Sequence, residues 1–206
     1  MAKAPARYSV ADAQAAIDAH CVRLARQLRS SARRVIGVLP SSDDVAAWPL
    51  VLELGLSLAH ITGAGIAALD VEHRWPELVP ALGGEGTGPA EALPELPVDD
   101  NLYLYSMTLL TPTFVLLAPR ETIPKGAKVH MLDLMLSPLR QEKAVFQHVL
   151  VDLTGFEERI GEFLGGIDLV DGVITVGRVA VTLEQDLVRL QRELPKEKNL
   201  GVLLVD

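Results

Sequence analysis

Two aspartates close apolar runs in this 206-residue chain: Asp70 ends IAALD and Asp152 ends HVLVD. Carboxylates at strand ends can hold a cation or water, or can accept hydrogen bonds from nearby backbone N–H groups. A third apolar run, RVIGVL, leads into Ser41, Ser42, Asp43 and Asp44. In an open parallel sheet the ligand crevice lies beyond the carboxyl ends of the strands. The segment VLPSSDDVAAW is therefore the first place to look for a phosphate cradle. Such a loop needs glycines for close backbone approach, a lysine against the phosphates and a hydroxyl for magnesium. Between Leu39 and Trp48 there is no glycine and no lysine, and two acids stand where phosphate would lie.

Other chemistry is poorly provided for. Ser41 and Ser42 lack the Gly-x-Ser-x-Gly turn of a hydrolase nucleophile. The histidines at 20, 60, 73, 130 and 148 show no ligand spacing, and no metal is expected. Cys21, the single cysteine, excludes an internal disulfide framework and falls on an apolar helical stripe, as a small core residue does. Glu72, His73 and Arg74 read as a surface ion-pair group. Met131 and Met135 read as core.

Nineteen basic residues against 27 acidic ones give a net charge of −8, the opposite of a general nucleic-acid binder. The charge is uneven: residues 1–34 hold seven basic and two acidic residues. A basic arm on an acidic body suggests a docking element. The apolar content of 49% suffices for one core, with few aromatics to fill it. No apolar run reaches the length of a membrane span, and the first residues have no signal-peptide core, so a cytoplasmic location is expected.

These residues are positioned by alternating elements. Ala13, Ile17, Cys21, Leu24 and Leu28 mark an amphipathic helix over 9–31, with Arg23, Arg26 and Arg29 beside the stripe. Buried strands are expected at 34–39, 66–69 and 149–153, and further strands at 102–107, 114–117, 173–176 and 200–205. Helices are expected at 50–59, at 125–146 with a kink or break at Pro138, at 156–164, and at 182–194. The last should open with a capping box, Thr182 with Gln185. Residues 76–98 read as a Pro/Gly-rich surface loop. The expected architecture is a basic helix over 1–33 followed by one α/β domain over 34–206. That domain is doubly wound, with a mostly parallel sheet flanked by helices.

The order of segments resembles the ParA/MinD group of deviant P-loop ATPases, and within it the cytoplasmic kinase module of bacterial exopolysaccharide tyrosine kinases. RRVIGVLPSSDDVAAWPLVLELGLSLA is similar to the family's first strand, P-loop and following helix. Ala47 then stands at the P-loop lysine and Trp48 at the Ser/Thr. IAALDVEHRWPEL resembles the second acidic motif, with Asp70 as its first acid and Glu72 replacing its second. FQHVLVDLTGF resembles the Walker B strand, with Asp152 on the metal side. DGVITVGR and LPKEKNLGVLLVD resemble the last two strands. The family's Glu-x-x-Arg-x-x-Arg ring-assembly helix is matched by His20, Arg23 and Arg26, without the acid. Its C-terminal tyrosine cluster has no counterpart.

Losing a lysine and a hydroxyl removes about 3–6 kcal/mol of charge-assisted hydrogen bonding, or about two to four decades of affinity. The resemblance therefore implies a pseudo-ATPase with no expected cofactor. It would be a scaffold or regulator of a membrane-associated machine, with exopolysaccharide synthesis and export foremost. The expected partner is a protein, such as the cytoplasmic part of an inner-membrane protein, or a second copy. Membrane association would be indirect, and no nucleic acid is expected. His20, Arg23, Arg26, Arg29 and Trp48 are the expected contact residues. Two alternatives stay open. One is a divergent ATPase or protein kinase binding ATP and magnesium at a non-standard site, with a lysine such as Lys125 or Lys128. The other is a pseudo-ATPase that positions pili, flagella or polarity complexes.

Overall fold

The computed structural model describes residues 19–71, 105–119, 127–141, 145–156 and 160–205. Glu72, Lys125, the first half of the expected N-terminal helix and the 76–98 loop lie outside these residues. The elements in chain order begin with α1 (Ala19–Arg29), β1 (Val35–Pro40), α2 (Trp48–Thr62) and β2 (Ile66–Asp70). Next come β3 (Tyr105–Thr111), β4 (Phe114–Pro119), α3 (Lys128–Gln141) and β5 (His148–Asp152). The chain continues through α4 (Ile160–Leu164), a 3-10 turn (Ile167–Leu169), β6 (Gly172–Arg178), α5 (Glu184–Glu193) and β7 (Asn199–Val205).

The strands form one seven-stranded sheet in the order β3-β4-β2-β5-β1-β6-β7. Every pairing is parallel except the β3–β4 hairpin. Continuous apolar strands need cover on both faces, and β1, β2, β5 and β6 have it, whereas the edge strand β7 leaves Val202 and Leu204 exposed. Alternate residues of one strand enter different cores: Ile36 and Val38 pack with α1 and α2, whereas Val35 and Leu39 pack with α3, Phe163 of α4, and α5. Cys21, Ala25 and Leu28 anchor α1 in the first core. Among the described residues, no helix is long and apolar enough to cross a membrane.

α2 is apolar nearly all round and accordingly buried along most of its length. Pro49 sits in its first turn, and Gly63 closes it at φ 64°, donating to the Ala59 carbonyl at 2.9 Å. Gly55 allows the close approach of the buried Phe114 ring; a Cβ there would fall 2.2 Å from it.

Two local expectations are corrected. Of the kink or break expected at Pro138, the break does not occur: α3 runs through it to Gln141. Pro138 removes only the hydrogen bond to Leu134, and the last turn is held from outside: the Arg34 guanidinium donates to the Leu139 and Arg140 carbonyls at 2.6 and 3.1 Å. The capping box at α5 does not form. The helix begins at Glu184, and its N-cap, Leu183, has no side-chain hydrogen bond. The Thr182 hydroxyl is engaged elsewhere, accepting from the Arg178 N–H at 2.7 Å.

Candidate functional site

The carboxyl ends of the central strands converge where the sequence places the crevice. Asp70 and Asp152 are register neighbours on β2 and β5, and Asp152 also faces Val38 of β1. Parallel strands lie about 4.8 Å apart, so the two carboxylates start side by side. Both residues are buried. One Asp152 oxygen accepts the Thr154 N–H at 2.9 Å and the Thr154 hydroxyl at 2.6 Å. This local turn uses the carboxylate as a backbone cap.

The neighbouring connection from β1 to α2 is tied down by short local bonds. The Ser41 N–H donates to the Val176 carbonyl at 2.8 Å, and the Ser41 hydroxyl pairs with that of Thr182 at 3.0 Å. Ser42 accepts from the Val45 N–H at 3.1 Å, making a turn that exposes Asp43 and Asp44. Val45 and Ala47 are buried in the first core. Ala47 already has helical dihedrals, and its carbonyl takes the Val51 N–H. Trp48 opens α2 half-buried, packed against the same core. Three of its side chains, Val45, Ala47 and Trp48, thus face the apolar core. Lys128, at the start of α3, lies 5.8 Å above the Phe156 ring, four residues past Asp152. Among the described residues, no group of three or more His, Cys, Asp or Glu could hold a metal ion.

The basic residues of α1 separate into two sets. His20 and Arg23 are exposed neighbours, with the His20 Nδ1 3.3 Å from an Arg23 nitrogen. Arg26 and Arg29 line a groove between α1 and α2 with Val22, Ser57, His60 and Ile61. Trp48 is not part of that groove: Ser57 lies about 13 Å further along the α2 axis.

The opposite end of the sheet carries a polar cluster that sequence reading passed over. Arg34 donates through Nε to the Phe146 carbonyl at 2.9 Å, beside its two bonds to α3. One Asp171 oxygen accepts the Arg34 and Val35 N–H groups, each at 2.8 Å. Burial lowers the Arg34 pKa, the Asp171 charge holds it up, and Arg140 lowers it further. The guanidinium remains charged throughout. Arg140 donates to the Asp168 and Leu169 carbonyls, and Lys198 to the Val170 carbonyl at 2.7 Å. His148 begins β5 fully buried, with neither ring nitrogen hydrogen-bonded. Burial lowers its pKa. The nearby Arg33 backbone offsets part of this without reaching hydrogen-bond geometry, and the Arg34 charge adds to the lowering. The sequence signal was available: Arg34 and Asp171 each stand immediately before a strand.

No family model and no curated protein matches the sequence. Solved structures do. The kinase domain of the Escherichia coli tyrosine kinase ETK superposes with a TM-score of 0.58 at 15% identity, over 92% of this chain and 78% of that one. The VpsO kinase domain gives 0.56 at 17% identity, over 95% and 94%. A ParA family ATPase from Chlorobium tepidum gives 0.50 at 15% identity, over 84% and 74%. These likenesses establish the fold: a P-loop-NTPase-like α/β sheet of the kind found in bacterial tyrosine kinase domains and ParA-type ATPases.

Proposed function

We propose that this chain is a catalytically inactive relative of the ParA/MinD and tyrosine-kinase ATPases that works by binding. Its role would be that of a scaffold or regulator in a membrane-associated machine for exopolysaccharide synthesis or export. The observation that carries the reading is the segment from Ser41 to Trp48. Where phosphates would need glycine N–H groups, a lysine and a hydroxyl, it offers buried Val45 and Ala47, half-buried Trp48 and exposed Asp43 and Asp44. Phosphoryl transfer depends on positioning and charge stabilisation, so both binding and catalysis fail together. The Asp152 carboxylate, engaged by Thr154, serves the turn.

The test is calorimetric titration with ATP and ADP, with and without magnesium, beside a radiolabelled ATP turnover assay. The expected result is no turnover and no magnesium-dependent binding. Micromolar Mg·ATP affinity that depends on residues 41–48 overturns the reading. Partner binding is expected to use the exposed His20–Arg23 face of α1. Deleting the helix is a poor probe, because Cys21, Ala25 and Leu28 are core residues. Arg23→Glu leaves that core intact, and unchanged light scattering and pull-down in this variant would count against a docking role for the helix.

A second reading, a divergent ATPase or kinase, draws on Lys128 lying near the Asp152 end of β5. ATP turnover that disappears in Asp152→Ala supports it.

A further inference from the structure

The groove between α1 and α2 joins cationic groups to a buried hydroxyl that has nothing to bond. Its volume is about 680 Å³. Arg26 and Arg29, three residues apart, border it from α1; Ser57, His60 and Ile61, at helical spacing, border it from α2. Neither guanidinium has a hydrogen bond or ion pair among the described residues. Ser57 is only 1% exposed, and its hydroxyl lacks any partner. A buried unsatisfied hydroxyl is costly, and native proteins seldom leave one without a reason. The acid closest along α2, Glu53, lies one turn away, accepts the Cys21 thiol at 3.6 Å and does not line the groove.

Two unpaired guanidiniums, an imidazole and a hydroxyl around one groove match a compact, multiply charged oxyanion. Arginine forks pair with phosphate oxygens in planar, bidentate fashion. Val22 and Ile61 add apolar walls beside them. We infer that the α1–α2 groove is a binding site for a phosphate-bearing small molecule, held by Arg26 and Arg29 with Ser57 and His60. The site is separate from the degenerate loop at 41–48 and does not rest on the scaffold reading.

The experiment is calorimetric titration of the whole protein with inorganic phosphate, pyrophosphate and ADP at fixed ionic strength. The expected order is pyrophosphate over phosphate, because two phosphoryl groups can engage both arginines. Each arginine replaced by alanine weakens pyrophosphate about tenfold, the scale of one charge-assisted hydrogen bond. Ser57→Ala weakens it about threefold without lowering the thermal midpoint, since the hydroxyl removed is unbonded. ADP binding above that of pyrophosphate, lost in R26A/R29A, assigns a nucleotide as the phosphate source; equal binding of the two assigns phosphate alone. Nucleotide binding that survives R26A/R29A contradicts the pseudo-ATPase reading and leaves this one standing on its pyrophosphate result. Absence of saturable pyrophosphate binding at millimolar concentration overturns the inference. So does pyrophosphate binding indifferent to R26A/R29A. Self-association abolished by R26A/R29A without pyrophosphate binding gives the arginines to an acidic protein surface instead, and equally overturns it.

Discussion

The two ends of the sheet are built on different principles. At the amino end, long-range charged bonds hold the molecule: Arg34 reaches three carbonyls on the end of α3 and the entry to β5, and Asp171 takes two backbone N–H groups. At the carboxyl end, Ser41 pairs with Thr182 through neutral hydroxyls, and Asp152 takes Thr154 two residues on. In an α/β fold of this kind the carboxyl end is where ligands bind. Here Arg34 and Asp171 put a cluster of charge-assisted bonds at the other end, where they serve cohesion. In the β1–α2 connection, Val45, Ala47 and Trp48 pack against the core while Asp43 and Asp44 are exposed.

The largest test of that contrast is Arg34→Ala. It strips three charge-assisted bonds from a half-buried group and leaves helix-end carbonyls unpaired. A loss of about 3 kcal/mol is expected in urea unfolding. Arg34→Lys keeps the charge without the fork and should recover less than half. A loss under about 1 kcal/mol would mean the amino end is no more than a solvated surface.

Asp171→Ala comes next. Two N–H groups at the start of β1 lose their acceptor, and about 1.5–2 kcal/mol should go with them, the residue being exposed enough for water to replace part of the bond. A double-mutant cycle with Arg34→Ala sharpens the comparison. Non-additivity above about 0.5 kcal/mol marks the two as one unit.

His148 makes the same end sensitive to acid. Its folded pKa lies below the ordinary 6.5, chiefly through burial. Above about pH 6.5 the ring is neutral in both states and stability is full. As pH falls from there toward the lower folded pKa, the unfolded chain takes up the proton first. Stability then declines by at most about 1.4 kcal/mol per pH unit. His148→Leu should flatten this part of the stability profile between pH 7 and pH 5; a profile parallel to that of the parent protein would show that the imidazole is not held neutral.

The smallest effect belongs to the carboxyl end. Thr182→Val removes the acceptor for Arg178 and the partner of Ser41, at a cost of about 1 kcal/mol. Ala47→Lys with Trp48→Thr should not create Mg·ATP binding, because the backbone still lacks glycines for phosphate approach. Gain of micromolar binding by that pair would show that side chains alone separate this chain from an active one.

Much of this was readable in one dimension. VIGVLP, IAALD and HVLVD are apolar without alternation, so each had to be a strand covered on both faces. α2 is apolar all round and had to be buried. Asp70 and Asp152 close two of those strands, which fixes them at the crevice once the strands are parallel. Thr182 shows where such reading fails. Its spacing to Gln185 satisfies a capping box, yet the hydroxyl found the Arg178 N–H four residues back and Ser41, a partner that exists only once β1 and β6 lie together. The break at Pro138 is absent likewise, because the cation that holds the turn around it comes from residue 34.

The sequence by itself determined most of the elements, the depth of the inner strands and the residue types present between Leu39 and Trp48, since these follow from local pattern and residue type. The tertiary structure alone decided the strand order, the clamp of Arg34 on α3 and the meeting of Arg26 and Arg29 with Ser57. Those depend on contacts between residues far apart in the chain, which hydropathy patterning does not encode because it is blind to which faces meet.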